Sequence, residues 1–268
     1  MPHQHETKTS IAVILGSSFQ TNTFCEWDLE ETLFETPFGM AVLHRVLGLG
    51  RDAWVLFRHG APHRLLPNQI NYRANAYALK MVQCNALLVT SSVGVLTANL
   101  PLYNLLILND LIYPENRLPN GETCTMYPNP STDHGHLVLN EGLFSTALKA
   151  QLRASFALLQ APIPDEVVFA YAGGPRTKTP AENRYWAKMG AEVNSMTLAP
   201  EVVLANELEI PCAGLVVGHK YSIPGMRSPE NDSIQDTLDT ARERLEQVIR
   251  LFLIEAQPVA FGNHLFHF

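Results

Sequence analysis

Cysteine is scarce in this chain, and Cys25, Cys84, Cys124 and Cys212 include no Cys-x-x-Cys pair. That scatter excludes the usual zinc and dithiol redox motifs. No apolar run reaches the roughly 18 residues of a membrane-spanning helix. The polar stretch Met1 to Ser10 precedes only a short apolar run and has no secretory character, so a reducing cytoplasm is the expected compartment. Positive charge is also short. Against 26 Asp and Glu stand 19 Lys and Arg, a formal net charge of -7. Neither a nucleic-acid backbone nor an anionic membrane suits such a balance as main partner. Any anion bound here must be met by a local cluster rather than by a global field. A convincing Ser-His-Asp or Cys-His arrangement is missing as well, which leaves no obvious protein nucleophile.

What the chain does have is apolar residue in quantity, 46% of 268 positions, enough for a full core. Short apolar runs read as buried strands: Ile11 to Leu15, Gly39 to Arg45, Ala53 to Phe57, Ala86 to Thr90, Leu105 to Asn109, Val167 to Tyr171 and Ala213 to Val217. Helical spacing lies between them, at Asn71 to Val82, Leu143 to Leu159, Ala181 to Met189 and Pro200 to Leu208. Strands alternating with helices point to an α/β fold with a substantially parallel sheet. The last helix is the clearest, with Ile234, Leu238, Ala241, Leu245, Val248 and Phe252 on one face and Ser228-Pro229 as its expected N-terminal cap. Leu118 to His136 reads as a long polar loop. No repeat or linker divides the chain, so residues 1–268 are expected to form one domain.

Four strand ends carry small hydroxyl or cationic groups. They are Gly16-Ser17-Ser18, Arg58-His59-Gly60, Thr90-Ser91-Ser92-Val93-Gly94 and Ser195-Met196-Thr197. Ligands of open α/β sheets bind beyond the carboxyl ends of strands. Hydroxyls, backbone N–H groups and an arginine converging there would suit a dianion such as phosphate. Each turn alone reads equally well as structural.

Together with their flanks, these segments resemble the trimeric purine nucleoside phosphorylase and methylthioadenosine phosphorylase family. The resemblance is carried by Arg58-His59-Gly60-Ala61-Pro62-His63, by Asn71-Tyr72-Arg73-Ala74-Asn75-Ala76-Tyr77-Ala78-Leu79-Lys80, by Gly174-Pro175-Arg176, and by Met196-Thr197-Leu198-Ala199-Pro200-Glu201 running on to Ala205. It looks closest to the methylthioadenosine and methylthioinosine branch. It implies a mixed, mostly parallel sheet forming a distorted barrel flanked by helices. It also implies a homotrimer or dimer of trimers, with no cofactor beyond inorganic phosphate as co-substrate and no metal. The implied activity is phosphorolysis of a purine-type nucleoside to free base and pentose 1-phosphate. The implied phosphate ligands are Ser17, Arg58, His59, Ser91 or Ser92, and Thr197, with Met196 against the sugar. His63 could approach phosphate or sugar, or pack within its loop.

The base end departs from that family. Thr177 stands where an aromatic is usual, and Lys178 where the purine nucleoside branch has glutamate. Gly218-His219-Lys220-Tyr221-Ser222 replaces the family's Thr-Asn or Asp-x-Asp. Lys178, His219 or Lys220 is therefore expected to donate to a leaving base that becomes anionic, which favours an acceptor-rich ring over adenine; the alternative is side chains turned to solvent. Of the nearby carboxylates, Asp110 reads as solvated or helix-capping, and Glu182 as a first-turn helix charge. A non-catalytic nucleoside or phosphate binder on the same fold is the competing class. A hydrolytic nucleosidase would need a water-activating carboxylate and fits less well.

Overall fold

The computed structural model describes residues 9–19, 27–131, 134–223, 225–226 and 233–267. Its elements in chain order are β1 (Ser10–Leu15), β2 (Leu29–Thr36), β3 (Gly39–Val46), β4 (Ala53–Phe57), α1 (Tyr72–Met81), β5 (Cys84–Val95), β6 (Leu105–Ile112), β7 (Gly135–Val138) and α2 (Thr146–Leu158). They continue with β8 (Glu166–Tyr171), α3 (Pro180–Lys188), β9 (Val193–Ser195), α4 (Ala199–Glu207), β10 (Cys212–Tyr221), α5 (Ile234–Glu255) and β11 (His264–His267).

Nine of these strands form one sheet in the order β10-β6-β8-β9-β5-β1-β4-β3-β2, and a further pairing of β10 with β5 closes the first five into a barrel. The sheet is mixed. β1 runs parallel to β4 and β5, as do β10 to β5, β6 to β8 and β8 to β9. The antiparallel joints are β10 with β6, β5 with β9, and the meander β2-β3-β4. Five helices flank it, giving the α/β fold and distorted barrel expected.

Side-chain alternation along the strands divides the core in two. Ile11, Val13 and Leu15 of β1 join Ala86 and Leu88 of β5 and Ala213, Leu215 and Val217 of β10 against α5. Ala12, Ile14, Leu87, Val89 and Val216 face the other way, toward α1 and α4. From α5 come Ala241, Leu245, Val248 and Phe252, the face read from its spacing. Its N-terminus differs. Ser233 caps it, with its Oγ accepting from Asp236 N at 3.2 Å while the Asp236 carboxylate accepts from Ser233 N at 3.0 Å. Ser228 and Pro229 lie outside the described residues.

Two strands run further than their apolar cores suggest. β5 continues through Ser91 and Ser92 to Val95, because Val93 and Val95 are buried and the tip pairs with both β10 and β9. These serines are therefore strand residues and not part of a following turn. β10 likewise carries His219, Lys220 and Tyr221 inside the strand. The apolar tail docks on its own chain: β11 pairs antiparallel with β7. Asn263, just before it, donates to Gly142 O at 2.7 Å and Asn206 Oδ1 at 3.0 Å.

Barrel closure leaves no room at Gly214, where a Cβ would sit 2.7 Å from Leu108 Cδ1 and 2.8 Å from its Cβ. Gly214→Ala should therefore overpack the β10–β6 joint and lower unfolding free energy by about 1–3 kcal/mol. Urea denaturation would read this as a lower midpoint with an unchanged slope; an unchanged midpoint would mean the joint is slack.

Candidate active site

At the carboxyl ends of β1, β4 and β9, and along the outer halves of β5 and β10, lies a cavity of about 390 Å³. Ten of the eleven residues singled out from the sequence line it: Ser17, His59, Ser91, Ser92, Thr177, Lys178, Met196, Thr197, His219 and Lys220. Arg58 is the exception.

Arg58 follows β4 directly and is 1% exposed. Its Nε donates to Glu201 Oε1 at 2.7 Å and its Nη2 to Oε2 at 2.6 Å, while Nη1 donates to Thr90 O at 2.8 Å. The expected open clamp is instead a strut beneath the cavity floor. A buried guanidinium needs a partner, and the fork of Glu201 supplies one in matching geometry. Gly16 lets β1 end over this strut: a Cβ there would come 2.9 Å from Arg58 Nη1 and 3.1 Å from Thr90 O. The next residue, Ser17, reaches the cavity.

The hydroxyl wall is self-organised. Ser18 Oγ and Ser92 Oγ are 2.5 Å apart, and Ser91 Oγ lies 3.2 Å from Ser195 Oγ. Thr197 is presented by a γ-turn, in which Ala199 N donates to Thr197 O at 3.0 Å across Leu198, held at φ 77° and ψ −51°. A leucine in that region is strained, and such strain persists where surroundings over-determine it; Leu198 is fully buried and α4 starts directly after it.

His59 Nδ1 must be the protonated nitrogen, since Leu65 O, 2.8 Å away, can only accept. Burial first, then the Arg58 charge, pull its pKa down to about 4, so the free site holds a neutral imidazole at pH 7. His63 stacks on it with centroids 4.4 Å apart and also lines the cavity.

At the other end, a bulge between Gly218 and Lys220 shifts the β10 register against β5. Bulges re-aim side chains, and here both His219 and Lys220 border the cavity. His219 Nδ1 lies 3.3 Å from Thr237 Oγ1 of α5, and burial, then Lys220, lower its pKa to about 4. Burial lowers Lys220 too. Lys178 donates to Gly173 O and, at 3.2 Å, to Arg176 O. Burial, then Arg176, bring its pKa down to about 8. Glu182 is a first-turn charge of α3 as expected, capping Thr179 and paired with Arg176. Asp110 is exposed on β6, where it accepts from Leu111 N. Sequence reading missed Asn183 and Asn194 in the lining, while Ser195, Tyr221 and Ser222 stood in segments it named without a role of their own. Adjacency to Ser195-Met196-Thr197 could have flagged Asn194; nothing in the sequence marks Asn183. Among the described residues no group of three His, Cys, Asp or Glu side chains could hold a metal.

A mixed barrel with a polar cleft at its strand ends is an α/β fold of the phosphorylase type. The chain belongs to the phosphorylase superfamily, whose family model matches residues 10–254. It is 31% identical over 250 residues to a probable 6-oxopurine nucleoside phosphorylase of Dictyoglomus turgidum, covering 90% of this chain and 89% of that protein. It is 33% identical over 186 residues to a probable S-methyl-5'-thioinosine phosphorylase of Pseudomonas syringae pv. tomato, covering 68% and 74%. Among solved structures it resembles the ligand-free methylthioadenosine phosphorylase of Schistosoma mansoni, with TM-score 0.75 at 23% identity over 92% of each chain. At that identity the likeness is one of fold.

Removing one side of the Arg58–Glu201 pair strands the other in the core. Glu201→Ala should lower unfolding free energy by about 3–5 kcal/mol. The double replacement Arg58→Met with Glu201→Leu should be less destabilised than the sum of its two single changes. Strictly additive losses in chemical denaturation would rule out the pair as a unit.

Proposed function

We propose that this protein is a pentosyltransferase that phosphorolyses the N-glycosidic bond of a purine-type nucleoside, with or without a 5'-methylthio group. The observation that carries the proposal is convergence. Ser17, His59, Ser91, Ser92 and Thr197, drawn from the ends or outer halves of four strands, share one cavity with Met196 and with the donors Lys178, His219 and Lys220. In this reading the hydroxyls, with His59, position inorganic phosphate, and Arg58 and Glu201 stiffen the floor from behind. Met196 lies against the sugar. A phosphate oxygen forms the new bond to C1' as the C1'–N bond breaks, and that electron pair goes to the base, which Lys178, His219 or Lys220 stabilises or protonates. Pre-positioning the anion and stabilising charge on the leaving group are the two contributions required of the protein. No residue need form a covalent intermediate. Hydrolysis is disfavoured because, among the described residues, no Asp or Glu lines the cavity to activate water. The reading extends to a cytoplasmic homotrimer or dimer of trimers, supported by the family resemblance.

Purified protein incubated with phosphate and a nucleoside panel should release base and pentose 1-phosphate only when phosphate is present. Ligand-induced thermal stabilisation without product would instead indicate a non-catalytic binder. Thr197→Val should raise KM for phosphate at least tenfold; an unchanged KM would remove Thr197 from the anion site.

Lys178 gives a pH signature. With its pKa at about 8, it is mainly charged at pH 7 and loses its proton as pH rises through 8. If it serves the leaving base, kcat should fall across that interval in the wild type, and Lys178→Met should be slower and lack the limb. A limb that survives the substitution belongs to another group.

A further inference from the structure

The base end of the cleft holds more positive charge than a neutral purine can use. Lys178, His219 and Lys220 all line it, and among the described residues no carboxylate lines the cavity. Among the described residues Lys220 has no hydrogen-bond or ion-pair partner, and burial alone accounts for its perturbation. The charge of Lys220 lowers the proton affinity of both Lys178 and His219. The one carboxylate acting on Lys178 is Glu182, already held by Arg176 at 2.7 and 2.9 Å. Half-buried cations with no counter-charge are costly. Among the described residues, Lys220 is left without a counter-charge.

Phosphate at the hydroxyl wall does not supply it. In the β5–β10 register Ser91 pairs with Val216, whereas Lys220 pairs with Gly94. Three residues of strand separate those levels, about 10 Å at ~3.3 Å per residue. That is the length of a nucleoside rather than of one ion contact. A carbonyl oxygen on a neutral ring would give Lys220 a hydrogen bond but no counter-charge, while Lys178 keeps its contacts to Gly173 O and Arg176 O. An exocyclic amino group would set donor against donor.

We infer that the nucleoside accepted here carries a negative charge on its base, either as a ring ionised at neutral pH or as a carboxylate attached to the ring. This rests on the phosphorolysis proposed above and specifies its substrate class. The charge would pair with Lys220, with Lys178 released from its carbonyl contacts as a second donor. On cleavage the C1'–N electron pair adds to a base that is already anionic, so a proton from a lysine ammonium or from solvent keeps the leaving group from becoming a dianion.

The test compares matched pairs at pH 7 with saturating phosphate: xanthosine, whose ring ionises near neutrality, against inosine, and N6-succinyladenosine, which bears carboxylates, against adenosine. The expected result is a kcat/KM at least tenfold higher for the charged member of one pair, the pair identifying ring or substituent as the source. Lys220→Gln should cut that ratio at least tenfold, and Lys220→Arg should keep most of it. Equal or better turnover of the neutral members overturns the inference while leaving phosphorolysis standing. A preference that persists in Lys220→Gln also overturns it, because the charge is then read elsewhere. Absence of pentose 1-phosphate from every nucleoside overturns both.

Discussion

The cleft depends on β5 being paired along both edges and at its tip. β1 covers one edge, β10 the other, and β9 closes on Gly94 and Val95. A twelve-residue strand with nearly every position buried cannot slide, because a one-residue slip would move its valines and leucines to the wrong layers. That fixed register sets Ser91 and Ser92 level with Val216 and Val217, and Gly94 level with Lys220. Hydroxyls and cation are thereby held at different heights on one wall. Anchoring a site to a sheet interior rather than to a loop keeps its donors in place before any ligand arrives, which is what electrostatic preorganisation requires.

The ion pair of Arg58 and Glu201 serves the same end from below. It joins the residue after β4 to the first turn of α4, and through Thr90 O to β5. These are the elements that carry His59, Thr197 and Ser91. A buried pair is rarely the cheapest way to fill a core, so its worth lies in geometry: the bidentate fork fixes the approach of α4 to the sheet, and with it the strained turn at Leu198. The carboxylate of Glu201 also balances the Arg58 charge within the core.

Much of the fold was legible in the sequence because local patterns caused it. Apolar runs such as Ile11 to Leu15 are buried on both faces, and the spacing in α5 gives one packed stripe. Boundaries were less legible. Ser91 and Ser92 look like turn residues, and only pairing with β10 and β9 keeps them in a strand. Ten site residues were readable as residue types at strand ends or motif positions, whereas the fate of Arg58 was not. Its charge is visible in one dimension, but the partner that absorbs it lies 143 residues away. The bulge at His219 is likewise a product of closure, since nothing in Gly218-His219-Lys220 announces it.

Under the proposed function, the two ends of the cleft would meet anions differently. At the hydroxyl end His59 is kept neutral by burial and by Arg58, and the polar groups beside it are uncharged serines and a threonine. Such a wall can hold a dianion while remaining tolerable when empty, because hydroxyls satisfy one another, as Ser18 does with Ser92 and Ser91 with Ser195. Among the described residues the lysine end offers Lys220 no such internal partner. A site exchanging phosphate each turnover gains from the first design. A site discriminating among bases gains from the second, since an unpaired cation penalises every ring that cannot answer it. In that reading the division of labour follows from which groups can pair with themselves, and it would place selectivity on β10 rather than on the hydroxyl wall.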